Sequence, residues 1–120
     1  AVASAETESL MDASAFAQMR PDAFFINVSR GGLVDEVALE AALREGRLAG
    51  AALDVGRAPD QMPMPGLAAL PNVVATPHIG GLTPPAIEAQ ALETVEQVRG
   101  LLRGEVPVGA VNAETWRNRP

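Results

Sequence analysis

The feature that most constrains this chain is an alternation of short apolar runs with helical and loop segments. The runs are Ala23–Val28, Leu48–Val55 and Asn72–Thr76. Their length and near-continuous apolar character fit strands of a parallel sheet buried on both faces. Between the first two, Asp35 stands where it can cap a helix that reaches about Glu45. Leu39, Ala42 and Leu43 share one face of that helix, and Gly46 supplies a left-handed stop. Strand, helix and strand within about 30 residues make a βαβ unit, with parallel strands and a right-handed crossover. The expected class is therefore α/β, a parallel sheet with helices on both faces.

The remaining segments fill in around that unit. Ala1–Ser4 reads as a strand end or a loop. Asp12 can N-cap a short helix over Ala13–Met19, which Arg20-Pro21-Asp22 terminates. Gly56–Pro65 is rich in Pro, Met and Gly and has no period, so it is a long loop of the kind that is often functional. Gly66–Leu70 is a short helical turn. Thr83 caps the last helix, with Pro84 at its first position. Ile87, Ala91, Val95, Val98 and Leu102 line one face of it, and Gly104 ends it. A tail from Glu105 closes the chain and carries Trp116.

Composition excludes several classes. The 120 residues carry a formal net charge of −6 with no basic stripe, so nucleic acid is not an expected partner. With no cysteine and one histidine, disulfides, thiolate chemistry and the usual zinc sites are excluded, and no metal is expected. No apolar run approaches the roughly 20 residues that cross a bilayer. No membrane partner is expected, and the chain reads as cytoplasmic. It begins at Ala1 without an initiator Met, which reads as a truncated N-terminus.

In an open α/β sheet, ligands bind beyond the carboxyl ends of the strands. Three polar side chains fall there, each just after or at the end of its run: Arg30, Asp54 and His78. A lone histidine is by default a surface or core residue. Here it follows Pro77 at a strand end and precedes Gly80-Gly81, glycines that let a ligand approach the backbone. An imidazole can give and take a proton near neutral pH. Arg30 could be a solvated loop charge, yet its guanidinium matches a carboxylate bidentately and can polarise a carbonyl. Asp54 could cap a turn or accept from a ligand hydroxyl, amide or ammonium. Together Arg30 and His78 suit a substrate with a carbonyl beside a carboxylate.

Three ordered blocks carry a family resemblance. Phe25-Ile26-Asn27-Val28-Ser29-Arg30-Gly31-Gly32-Leu33-Val34-Asp35, Gly50-Ala51-Ala52-Leu53-Asp54-Val55 and Asn72-Val73-Val74-Ala75-Thr76-Pro77-His78-Ile79-Gly80-Gly81 closely resemble the D-isomer-specific 2-hydroxyacid dehydrogenases. Val106–Asn112 resembles the family's closing segment. The resemblance implies an enzyme that interconverts 2-oxo acids and D-2-hydroxy acids with NAD, NADP being the alternative cofactor. It implies that Arg30 binds the substrate carboxylate and carbonyl, that His78 is the acid/base, and that Asp54 contacts the nicotinamide. Val28, Ser29, Gly80, Gly81 and Thr7 would lie along the cofactor, with Arg30 and His78 beside it. Family habit implies a homodimer.

The sequence departs from the family twice. The glutamate that partners the histidine, five residues after the strand-end aspartate, is Pro59 here. Asp60 is the one nearby carboxylate, either a substitute for that glutamate or an exposed loop acid. The glycine turn G-x-G-x-x-G is also absent. The resemblance then implies a partial Rossmann-like parallel sheet, the second half of a doubly wound dinucleotide-binding domain, with a long C-terminal helix. Residues 1–104 would be that partial domain, and 105–120 a return segment toward a substrate domain outside the chain. A fragment of this kind is expected to be inactive alone. A non-catalytic NAD(H)-sensing binding protein on the same scaffold is the alternative reading, favoured by the lost glutamate.

Overall fold

The computed structural model describes residues 2–117, apart from the side chains of Trp116 and Arg117. The Trp116 side chain, noted above in the tail, thus lies outside the described residues. The chain divides into two compact units, residues 1–80 and 81–120.

The first unit is built on three parallel strands in the order β1-β2-β3: Phe24–Asn27, Gly50–Leu53 and Val73–Ala75. Helix α1 (Ala13–Ala17) precedes them, and Asp12 caps it by accepting from Ala15 N at 2.8 Å. Helix α2 (Glu36–Arg44) joins β1 to β2, and α3 (Pro65–Ala68) precedes β3. Asp35 Oδ1 accepts from the amides of Val37 and Ala38 at 3.1 and 3.0 Å, satisfying two otherwise orphaned donors of the first turn of α2. The backbone leaves the helix through Gly46 at φ +67°.

The core lies on one face of the sheet. Phe16, Leu39, Ala42, Leu43 and Leu67 from the three helices meet Ala51 and Leu53 of β2. Phe25 reaches the same layer and meets Phe16 edge to face, with ring centroids 5.2 Å apart. Because side chains alternate along a strand, Phe24, Ile26 and Val74 point to the other face, where each remains about two-thirds exposed. The expectation of strands buried on both faces is corrected at this point: within this unit helices α1, α2 and α3 pack on the same side, and Phe24, Ile26 and Val74 of the second face are exposed.

Near the N-terminus, Val2–Ser4 is irregular rather than strand. Met11 instead forms an isolated parallel bridge with Val34, Met11 N donating to Leu33 O and Asp35 N to Met11 O.

The second unit is the 19-residue helix α4 (Pro84–Leu102) and a tail with a short helix α5 (Ala113–Arg117) that the sequence did not announce. Thr83 holds the N-cap position of α4 without a side-chain cap bond. The stripe of Ile87, Val95, Val98 and Leu102 exists, but those side chains are exposed; Gly100 is the buried residue of the helix. Among the described residues, no helix is long and apolar enough to cross a membrane, and no cluster of three or more His, Asp or Glu could hold a metal.

Candidate active site

Parallel neighbours deliver their carboxyl ends to one edge of the sheet, so the loops after β1, β2 and β3 leave side by side. Strand spacing sets the ends of β1 and β3 roughly 10 Å apart. Arg30, Asp54 and His78 follow those three ends. Ladder bonds continue to the edge, Asp54 N donating to Asn27 O and Thr76 N to Leu53 O.

The loop after β1 is shaped by Asn27, a buried polar residue. Its Oδ1 accepts from Ser29 N and its Nδ2 donates to Arg30 O, both at 3.0 Å. This is the Asx turn that asparagine favours. A 3₁₀ turn over Gly31–Leu33 follows directly. The Arg30 guanidinium is exposed, and its Nη1 donates to Ser29 O at 2.7 Å. A cavity of about 310 Å³ is lined by Val2, Ala3, Ser29 and Arg30. Thr7 orders the neighbouring turn: its Oγ1 donates to Val2 O at 2.7 Å and accepts from Ser4 N at 2.9 Å.

The half-buried Asp54 organises the loop that carries His78. Its Oδ1 accepts from Thr76 Oγ1 at 2.5 Å and from Ile79 N at 2.8 Å, and its Oδ2 from Gly80 N at 2.8 Å. These bonds, led by the Thr76 hydroxyl, hold its carboxyl below the usual carboxylate range, with a further contribution from the nearby His78. The loop in turn holds His78 at φ +54°, a left-handed backbone that costs a non-glycine residue on the order of 1 kcal/mol. Gly80 fits here for a reason internal to the protein, since a Cβ would stand 2.9 Å from Asp54 Oδ2. Gly81 begins the second unit, where a Cβ would meet Gln90 at an ordinary 3.5 Å.

Two residues that sequence reasoning passed over brace this edge. Glu36 is buried, and its two carboxylate oxygens accept from Arg57 N at 3.0 Å and Met64 N at 3.1 Å. It staples both ends of the loop after β2. Arg57 Nε donates to Val34 O at 2.6 Å, Nη1 to Glu8 Oε1 at 2.6 Å, and Nη2 to Ser9 Oγ and Gly32 O at 2.8 and 2.9 Å. The sequence offers only an acidic pair at a helix start and an arginine in a long loop, with partners 21 to 49 residues away. Asp60 is exposed in that same loop, and its Oδ1 accepts from Met62 N at 3.1 Å. No ion pair joins it to His78 among the described residues. Val28 is exposed just beyond β1.

Comparison with known proteins places this arrangement. Residues 1–80 match the family described as D-isomer specific 2-hydroxyacid dehydrogenase, NAD binding domain. The chain belongs to this family. Glyoxylate/hydroxypyruvate reductase B of Citrobacter koseri is 43% identical over 112 residues, which are 91% of this chain and 34% of that protein. The chloroplastic D-3-phosphoglycerate dehydrogenase 3 of Arabidopsis thaliana is 42% identical over 109 residues, 91% of this chain and 18% of that one. Among solved structures, a D-isomer specific 2-hydroxyacid dehydrogenase of Xanthobacter autotrophicus Py2, in complex with NADPH and MES, superposes with a TM-score of 0.76. It is 38% identical, and the match covers 97% of this chain and 47% of that one. The chain thus spans about a third of the length of the first of these curated relatives and about a fifth of the second. Within the hydroxyacid dehydrogenase family, the strand ends described above are those of an open Rossmann-type sheet.

Proposed function

We propose that the full-length protein reduces a small 2-oxo acid to the D-2-hydroxy acid, and performs the reverse, with NAD(H) or NADP(H). The observation that carries this reading is the single sheet edge bearing Arg30, Asp54 and His78, with the Asp54 carboxylate bonded into the His78 loop. The names of the matched proteins support it, since they are reductases and dehydrogenases of such acids. The residues fit the nicotinamide end of the cofactor. The ionisable groups that follow the three strand ends are one carboxylate, one imidazole and one guanidinium, and a cavity of about 310 Å³ adjoins Arg30. A bound nicotinamide supplies the hydride.

The chain's own residues do the rest. The Arg30 guanidinium engages the substrate carboxylate and steadies charge developing on the carbonyl oxygen. His78 as imidazolium delivers the proton to that oxygen during reduction, and as imidazole takes it back during oxidation. Asp54 holds the His78 loop and has capacity left to accept from a carboxamide. Thr7, Val28, Ser29, Gly80 and Gly81 border the cofactor. Asp60 is the proposed carboxylate partner of His78 in the working enzyme, brought there by movement of its loop. Residues 105–120 form the return segment toward a substrate domain, the working form is a cytoplasmic homodimer, and the 120-residue chain alone is inactive.

A second reading, a non-catalytic NAD(H)-binding protein, is favoured by Pro59 at the glutamate position and by Asp60 bonding within its own loop. Steady-state kinetics of the full-length protein separate the two. Arg30→Gln is expected to raise KM for glyoxylate by about 100-fold, as loss of a bidentate charged contact does. An unchanged KM in that variant would remove Arg30 from the substrate site.

A further inference from the structure

We infer that Arg57 is a positioning residue for Arg30, acting through the 3₁₀ turn over Gly31–Leu33; this rests on the function proposed above. The turn starts at Arg30, whose carbonyl accepts from Leu33 N at 3.4 Å, while Gly31 O accepts from Val34 N at 3.0 Å. The first of these bonds is long, so the turn's own ladder holds it weakly, and Asn27 Nδ2 donates to the same Arg30 carbonyl at 3.0 Å. The Arg57 guanidinium holds the far side of the turn. It binds two carbonyls of the turn region, Gly32 O and Val34 O, and ties them to Glu8 and Ser9 on a separate loop. That loop follows Thr7 directly, and Ser9 N also donates to Gly32 O at 2.8 Å.

Arg57 is itself fixed from behind. Its amide is held by the buried Glu36, and its neighbour Gly56 stands where a Cβ on Gly31 would collide with the Gly56 carbonyl. A planar guanidinium with five donors in a rigid fork can serve four acceptors at once, which a lysine ammonium cannot. The side chain is about one-third exposed and paired with Glu8, so its fork is not a loose surface charge. Freed from Arg57, the Arg30–Val34 segment would sample other turns, and the Arg30 head would spend less time facing a substrate carboxylate. Positioning of this kind appears as weaker substrate binding, with the proton-transfer step left intact.

The test uses the full-length protein with glyoxylate and NADH. Arg57→Ala is expected to raise KM for glyoxylate about tenfold or more, with kcat and the NADH Kd held within roughly threefold, and Arg57→Lys is expected to fall between it and wild type. In an Arg30→Gln background the same Arg57→Ala change is expected to leave KM unmoved, because the residue it positions is gone. Amide hydrogen exchange across residues 30–35 should accelerate in the variant while residues 51–53 of β2 stay protected. Equal KM shifts with and without Arg30, or unchanged exchange across residues 30–35, would overturn the inference. If Arg57→Ala does not fold, Arg57→Lys carries the same comparisons. If wild type reduces no 2-oxo acid, the proposed function fails, and hydrogen exchange alone then decides for or against Arg57.

Discussion

His78 sits in a left-handed backbone between a proline and an isoleucine, and it stays there because Asp54 accepts from Thr76 before it and from Ile79 and Gly80 after it. Strain of this sort persists only where the surroundings over-determine it. Asp54 therefore has two jobs at the residue scale: it presents a carboxylate at the sheet edge and it sets the pose of the imidazole. In Asp54→Asn an amide NH₂ would replace one acceptor and confront a backbone N–H. The expected outcome is a loss of at least tenfold in kcat/KM at neutral pH, read by steady-state kinetics. The carboxyl lies below its usual range in the folded protein, so its stabilising contribution is complete above an ordinary value of about 3.9 and is lost as pH falls through the depressed folded value. The gap in unfolding midpoint between wild type and Asp54→Asn should stay constant from neutral to about pH 4 and shrink below it. All three strand-end residues could be named from the sequence, because each stands at or just after the end of an apolar run. The bonds among Asp54, Thr76, Ile79 and Gly80 could not, since they join β2 to a loop more than 20 residues on.

At the scale of elements, the sheet edge is held together from beneath by close backbone approach and by two side chains. A methyl group on Gly31 would enter the backbone of Gly56, and one on Gly56 would enter the backbone of Met62 and Pro63. Neither neighbour is a flexible side chain that could swing away. Gly31→Ala is expected to destabilise the protein by about 3 kcal/mol, read by denaturant unfolding. A change under about 0.5 kcal/mol, the scale of a neutral surface substitution, would show that the two loops are not in this contact. The strands and helices themselves were legible: the apolar runs locate β1, β2 and β3, and Asp12 and Asp35 cap the helices assigned to them. The bracing by Glu36 and Arg57 was not. A buried glutamate at a helix start resembles an ordinary first-turn acid, and its partners are backbone amides that carry no sequence signature.

For the whole molecule, the exposed apolar residues separate what the sequence pattern says from what these 120 residues can satisfy. Phe24, Ile26 and Val74 on one sheet face, and Ile87, Val95 and Val98 on α4, follow buried-element patterns yet are exposed. Periodicity reports that a face seeks cover without saying what covers it. The matched relatives extend well beyond the region shared with this chain, so the proposed activity is to be tested on the full-length protein. The most direct measurement of the central claim is therefore turnover of glyoxylate by the full-length protein with NADH and with NADPH, for wild type and for His78→Asn. We expect reduction with at least one cofactor, and a fall in kcat of about 100-fold to 10,000-fold in the variant, as loss of a general acid produces, with cofactor affinity retained. Cofactor binding without turnover, or a His78→Asn variant as fast as wild type, would contradict the account.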